Sequence, residues 1–148
     1  MVRTISILGS TGSIGVNALE VIFNLKKSFK VKYLSTNKNV DLLISQIKEH
    51  KPKSVAVVDE LAAKKIKSAL DEMGIELLIG KVGLLDLSQR HDVDLVLNGL
   101  VGASGMQPTI NAIRAGVNVA LANKESLVMA GNIINKEIEN SEAKLFPI

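Results

Sequence analysis

The feature that most narrows the possible folds is Gly9-Ser10-Thr11-Gly12-Ser13-Ile14-Gly15, set directly between a β-branched run, Thr4 to Leu8, and the first stretch of helical period. Its glycines are spaced G-x-x-G-x-x-G rather than the commoner G-x-G-x-x-G. Missing Cβ atoms permit a tight turn, let backbone approach a pyrophosphate and allow the helix to pack on the strand. N–H groups at the helix start then face the anion, and Thr11 and Ser13 offer hydroxyls beside them. The competing reading is an ordinary glycine turn with Thr11 or Ser13 as N-cap. Its location in the first strand-to-helix turn of an alternating chain favours dinucleotide binding.

That alternation continues to the C-terminus. Strands are predicted at Lys30 to Ser35, Ser54 to Val58, Glu76 to Ile79, Asp94 to Asn98, Asn118 to Leu121 and Ala143 to Ile148. Between them run helical stripes: Ile14, Ala18, Val21, Ile22 and Leu25; Val40, Leu43, Ile44 and Ile47; Ala62, Ile66, Ala69, Leu70 and Met73; Leu127, Ala130, Ile133, Ile134 and Ile138. Gly74 is expected at a C′ position, Pro108 in the first turn of a helix ending at Gly116, and Lys81 to Arg90 as a short helix. Leu95, Val96 and Leu97 form a continuous apolar run, expected to be buried on both faces. Successive βα units of this kind predict an α/β fold, doubly wound with a mainly parallel, Rossmann-like sheet, as a single domain over residues 1–148.

Composition removes several function classes. The chain has no Cys and only His50 and His91, which excludes disulfides and thiolate metal sites and disfavours a histidine-rich metal site. Both histidines read as solvated. The net charge of +3 comes from dispersed lysines, and Phe23, Phe29, Tyr33 and Phe146 are isolated, so no nucleic-acid platform is expected. Neither a signal peptide nor a membrane span is found, and the chain is read as cytoplasmic.

Two further segments point to a ligand. A carboxylate that would hold ribose hydroxyls is expected at the end of the second strand, but that place reads Leu34-Ser35-Thr36-Asn37-Lys38-Asn39. A cation with neutral donors tolerates a 2′-phosphate, which favours NADPH over NADH. Lys38 also reads as an exposed loop lysine, and Asn39 as the N-cap of the second helix. Leu121-Ala122-Asn123-Lys124-Glu125-Ser126 lies at the carboxyl end of another strand, where open α/β sheets bind ligands. Asn123 reads equally as a cap, and Glu125 as a complement to the helix dipole. Lys124 is opposed by that dipole, by about 0.3–1 kcal/mol, so its charge is expected to answer an anion. Gly99 to Ala103 reads either as a turn or as backbone that approaches the nicotinamide.

Together the string at Ile7 to Gly15, the element ending in Lys38 and Asn39, the pattern from Val101 to Gly116 and LANKESLV at Leu121 to Val128 resemble the 1-deoxy-D-xylulose 5-phosphate reductoisomerase family. The resemblance implies conversion of that sugar phosphate to 2-C-methyl-D-erythritol 4-phosphate, a step of the non-mevalonate isoprenoid pathway. It also implies rearrangement, hydride transfer from NADPH, a need for Mg²⁺ or Mn²⁺, and a homodimeric full-length enzyme. By position, Thr11, Gly12, Ser13 and Ile14 would hold the cofactor phosphates, and Asn37, Lys38 and Asn39 the adenosine end. Asn123 and Glu125 would contact NADPH, and Lys124 the sugar phosphate. Asn37 stands where the family often has Gly. The acidic D-S-E metal motif expected after Pro147-Ile148 is not in this chain, so the resemblance implies an NADPH-binding portion that is inactive alone. The alternatives are another NADP-dependent dehydrogenase, acting on homoserine or aspartate semialdehyde, and a non-catalytic dinucleotide-binding module.

Overall fold

Apolar runs and helical stripes alternate as seven strands and six α-helices among the described residues, 1–122 and 124–148, of the computed structural model. In chain order these are β1 (Arg3–Leu8), α1 (Ser13–Asn24), β2 (Phe29–Thr36), α2 (Val40–His50), β3 (Ser54–Val57), α3 (Glu60–Met73) and β4 (Glu76–Ile79). There follow α4 (Gly80–Ser88), β5 (Leu95–Asn98), a 3₁₀ turn at Gly102–Gly105, α5 (Met106–Arg114), β6 (Asn118–Leu121), α6 (Lys124–Glu139) and β7 (Leu145–Pro147). Local chemistry sets several ends. Asn39 and Asp59 cap α2 and α3 through their side chains, and Gly74 ends α3 at a φ of +70°.

The sheet runs β4-β3-β2-β1-β5-β6-β7, and every described pairing is parallel. Winding outward from β1 in both directions puts helices on both faces. Ile5, Ile7, Val31, Leu34 and Val57 pack with α1, α2 and α3 in one apolar layer. Leu8, Tyr33, Val96, Val119 and Leu121 pack with α4, α5 and α6 in the other. Each fully buried aliphatic side chain contributes about 1.5–3 kcal/mol. The winding reverses between β1 and β5, so the turns leaving these adjacent strands flank one crevice.

Three expectations are corrected. Helix α1 buries Gly15, Leu19 and Ile22, whereas Val21 (56% exposed), Ile14 and Leu25 face outward. Gly15 packs on the preceding turn, and that contact decides which stripe turns inward. On β5 only Val96 and Asn98 are fully buried, because α1 to α3 gather over β1 to β4 and leave Leu95 and Leu97 half-covered. In α6, a non-helical Ala130 (φ −129°, ψ 19°) kinks the helix and Ile133 points outward.

At the end of the sheet away from the crevice, Lys32 is the extra residue where the β1–β2 register shifts, and its Nζ reaches the Asp92 carboxylate at 2.8 Å. Tyr33 donates its hydroxyl to the same carboxylate at 2.8 Å, and Arg90 sits over the Tyr33 ring, 5.4 Å from its centroid. Burial and Asp92 together push the Tyr33 hydroxyl above its ordinary pKa.

Candidate functional site

The three glycines of the first turn do different work. Gly9 has a φ of +76°, a conformation that side chains disfavour. Gly15 is needed for packing: a Cβ there would overlap the Gly9 carbonyl oxygen and the Ser10 Cα. Gly12 is exposed at φ −78° and ψ 171°, and a Cβ on it would meet only the Gly9 oxygen, at an ordinary 3.5 Å. Gly12 therefore lies bare toward solvent without being required by the turn.

Gly12 is also the N-cap of α1, so neither Thr11 nor Ser13 caps the helix. With no side-chain cap and no acidic residue in its first turn, α1 presents its N-terminal N–H groups and positive dipole end outward. Thr11 instead pairs with Thr36 at the end of β2, Oγ1 to Oγ1 at 2.6 Å. Whichever hydroxyl accepts in that pair retains its own proton for a further acceptor.

Beyond β2, Asn37, Lys38 and Asn39 are exposed. The Asn39 Oδ1 accepts from the Leu42 N–H at 3.2 Å, which leaves its Nδ2 as the part able to meet a ligand. Among the described residues, Lys38 makes no ion pair. Asn37 is not among the residues with positive φ, so its turn does not require the family's glycine, and its carbonyl accepts from the Asp59 N–H at 3.0 Å.

Across the crevice, Asn98 at the end of β5 is fully buried and organises the next turn. Its Nδ2 donates to the Gly105 carbonyl at 2.9 Å and to Thr109 Oγ1 at 2.8 Å, and its Oδ1 accepts from the Leu100 N–H at 3.1 Å. A Cβ on Gly99 would touch the Ile14 side chain at 3.4 Å, so the two turns meet there. Glu125, in the first turn of α6, lies close to Gly102: a Cβ on that glycine would be 3.6 Å from Glu125 Oε2. Lys124 is the first residue of α6 and exposed, whereas Asn123 lies outside the described residues.

The carboxyl ends of β1, β2, β5 and β6 thus carry Thr11 to Ile14, Asn37 to Asn39, Gly99 to Gly102, and Lys124 with Glu125 around one edge of the sheet. His50 is remote from it, edge-on to Phe23 at the far end of α2, and burial lowers its pKa. The supporting residues Ser10, Gln46 and Asn98 were not singled out from sequence. For Gln46 a signal existed, since it falls on the Val40, Leu43, Ile47 stripe where an apolar residue is expected. Among the described residues, no three His, Asp or Glu side chains come together in a way that could hold a metal ion. No described helix is long and apolar enough to cross a membrane.

The profile of the family described as 1-deoxy-D-xylulose 5-phosphate reductoisomerase matches residues 5–131. The chain is 43% identical over 146 residues to the reductoisomerase of Chloroherpeton thalassium, covering 99% of this chain and 38% of that protein. It is 41% identical over 148 residues to that of Halothermothrix orenii, covering 100% and 38%. Among solved structures, it superposes with a TM-score of 0.93 and 33% identity on the Zymomonas mobilis reductoisomerase in complex with NADPH, over 99% of this chain and 38% of that one. A reductoisomerase in complex with NADPH, fosmidomycin and magnesium superposes at 0.91 with 32% identity, over 99% and 36%. A homoserine dehydrogenase from Thiobacillus denitrificans, at 0.66 and 16% identity, shares the fold alone. The chain therefore spans under two fifths of the length of the curated relatives it matches, and it belongs to the 1-deoxy-D-xylulose 5-phosphate reductoisomerase family.

Proposed function

We propose that these 148 residues are the NADPH-binding domain of a cytoplasmic, homodimeric reductoisomerase that converts 1-deoxy-D-xylulose 5-phosphate to 2-C-methyl-D-erythritol 4-phosphate. The observation that carries the reading is the uncapped start of α1 behind the bare Gly12. An anion at that point satisfies N–H groups that no side chain serves. The N–H groups of Ser13 and Ile14 would take the pyrophosphate, with the Thr11–Thr36 pair supplying a hydroxyl proton. Lys38, with Asn37 and the Nδ2 of Asn39, would take the adenosine end and its 2′-phosphate. By the family resemblance, Asn123 and Glu125 would contact NADPH, and Lys124 would contact the phosphate of the sugar.

Bound NADPH supplies a hydride; this chain's own residues bind and orient it. The described residues bring together no set of ligands that fits Mg²⁺ or Mn²⁺, and catalytic domains outside these 148 residues would bring the carboxylates for it.

Fluorescence titration with NADPH and NADH tests the cofactor reading. NADPH is expected to bind more tightly, and Lys38→Ala to weaken it about tenfold, the loss of one charge-assisted contact, with little change for NADH. Equal affinities that ignore the substitution would sink it.

A further inference from the structure

Gln46 is a large polar side chain, 6% exposed, on the inward stripe of α2 between Leu43 and Ile47. A leucine would suit that stripe, so its polarity needs a reason. Its Nε2 donates to the Ser10 carbonyl at 2.9 Å, and its Oε1 accepts from the Ser10 hydroxyl at 2.8 Å. A carbonyl oxygen only accepts, which fixes the orientation of the amide. The Ser10 Oγ also lies 3.1 Å from the Ser35 carbonyl oxygen, but it has a single proton to give, Gln46 is the nearer acceptor, and that carbonyl already accepts from the Ser10 N–H at 2.8 Å. Ser35 Oγ accepts from the Gly9 N–H at 2.9 Å.

The peptide groups of Gly9 and Ser10, at the start of the turn that carries the exposed Gly12, are therefore held by the end of β2 and by the middle of α2. The same helix begins at the Lys38–Asn39 turn. One rigid element thus carries the adenosine-side turn at its start and grips the phosphate-side turn two helical turns later.

We propose that Gln46 is a positioning residue for the cofactor, whose two hydrogen bonds to Ser10 set the distance between the glycine turn and the Lys38–Asn39 turn. This rests on the reading of the site as a dinucleotide site. A ligand that must engage both turns at once depends on their spacing; a ligand that engages one turn does not. Removing the clamp also takes the Gln46 donor from the buried Ser10 carbonyl, while the Ser10 hydroxyl turns to the Ser35 carbonyl, so the glycine turn is no longer tied to α2.

The test compares NADPH, which spans both turns, with adenosine 2′-monophosphate, which reaches only the Lys38 side, and inorganic pyrophosphate, which reaches only the glycine turn. Gln46→Met keeps the length and apolar fit of the side chain. It is expected to weaken NADPH at least tenfold while adenosine 2′-monophosphate stays within twofold of the wild type. Ser10→Ala removes the hydroxyl half of the clamp, is expected to cost NADPH about threefold, and carries the same comparison if Gln46→Met does not fold. NADPH affinity unchanged in the folded variant, or NADPH and both fragments weakened by one common factor, would overturn the positioning role. A wild-type chain that binds pyrophosphate and adenosine 2′-monophosphate but not NADPH would also overturn it; one that binds none of the three would instead remove the dinucleotide reading beneath it.

Discussion

At the scale of single residues, the glycine turn separates what folding requires from what a ligand requires. Gly9 and Gly15 belong to the fold, one by its φ of +76° and the other by its contact with the Gly9–Ser10 backbone. Gly12 belongs to neither, since its backbone angles suit any residue and nothing crowds it. On the proposed reading, Gly12→Val should leave the melting temperature nearly unchanged and abolish NADPH binding, because a branched side chain would stand where the pyrophosphate is proposed to approach. Gly15→Ala should do the reverse first, lowering stability by about 1–3 kcal/mol through overpacking, read by urea denaturation. Intact NADPH binding in a folded Gly12→Val protein would make the loop only a turn. The glycine spacing, Lys38 and the first residues of α6 were legible in sequence because each breaks a local rule: bare backbone at a helix start, a cation where a carboxylate is usual, a lysine against a dipole. The pairing of Ser10 with Gln46 was not, because the two lie 36 residues apart and meet only once the sheet order brings the first turn beside α2; Asn98 was not, because its contacts with Gly105 and Thr109 depend on how the turn after β5 folds back.

Among the elements, β4 closes one edge of the sheet with four residues paired to β3, and a polar joint ties its first residue to the segment between α4 and β5. Arg90, just before β5, donates to Glu76 at 2.7 Å and to Ser54 Oγ at 3.2 Å, and Ser54 donates to the same Glu76 oxygen at 2.7 Å. The guanidinium, then the Ser54 hydroxyl, hold the Glu76 carboxyl down to about 2. A depressed folded-state pKa stabilises above the ordinary carboxylate range and ceases to do so as pH falls through the folded value. Because the Glu76 side chain is 51% exposed, solvent screening reduces the joint to about 1 kcal/mol. Glu76→Gln should cost that amount at pH 7, and urea denaturation from about pH 5 down to pH 2 should show the wild type losing its advantage until the two proteins match. Curves that stay parallel through that range would mean the joint contributes nothing. Element order and type followed from period and punctuation, including β4, whose short run is bracketed by Gly74 and Gly80. Which face of an element turns inward did not always follow. Helix α1 is apolar nearly all round, so periodicity offers two stripes, and only the seating of Gly15 on the turn selects Gly15, Leu19 and Ile22.

For the whole molecule, the doubly wound plan covers the two halves of the sheet unequally. Helices α1 to α3 lie over β1 to β4, whereas on the same side β5 to β7 carry Leu95, Leu97, Ala120 and Phe146, the last 47% exposed. A groove there is lined by Arg3, Ile5, Leu95, Asn118, Ala120 and Phe146. That half-covered face is the physical reason why the apolar run of β5 reads as doubly buried yet is not. It also bears on what 148 residues can do when their relatives are more than twice as long. Hydride transfer needs a substrate held against the nicotinamide. On the proposed reading, this chain offers Lys124 for the sugar phosphate, but among the described residues no carboxylate group that could hold the cation. Orientation of two reactants is worth about 7–11 kcal/mol of the barrier, and a site that binds one partner of the reaction forfeits it. The 148-residue chain should therefore bind NADPH and oxidise none of it when given 1-deoxy-D-xylulose 5-phosphate and Mn²⁺, as followed by absorbance of the reduced nicotinamide. A full-length relative such as that of Chloroherpeton thalassium, assayed beside it, is expected to consume NADPH under the same conditions. Substrate-dependent oxidation by the short chain at a comparable rate would mean that these residues assemble a complete site, and that the division between a cofactor-binding domain and separate catalytic domains is wrong.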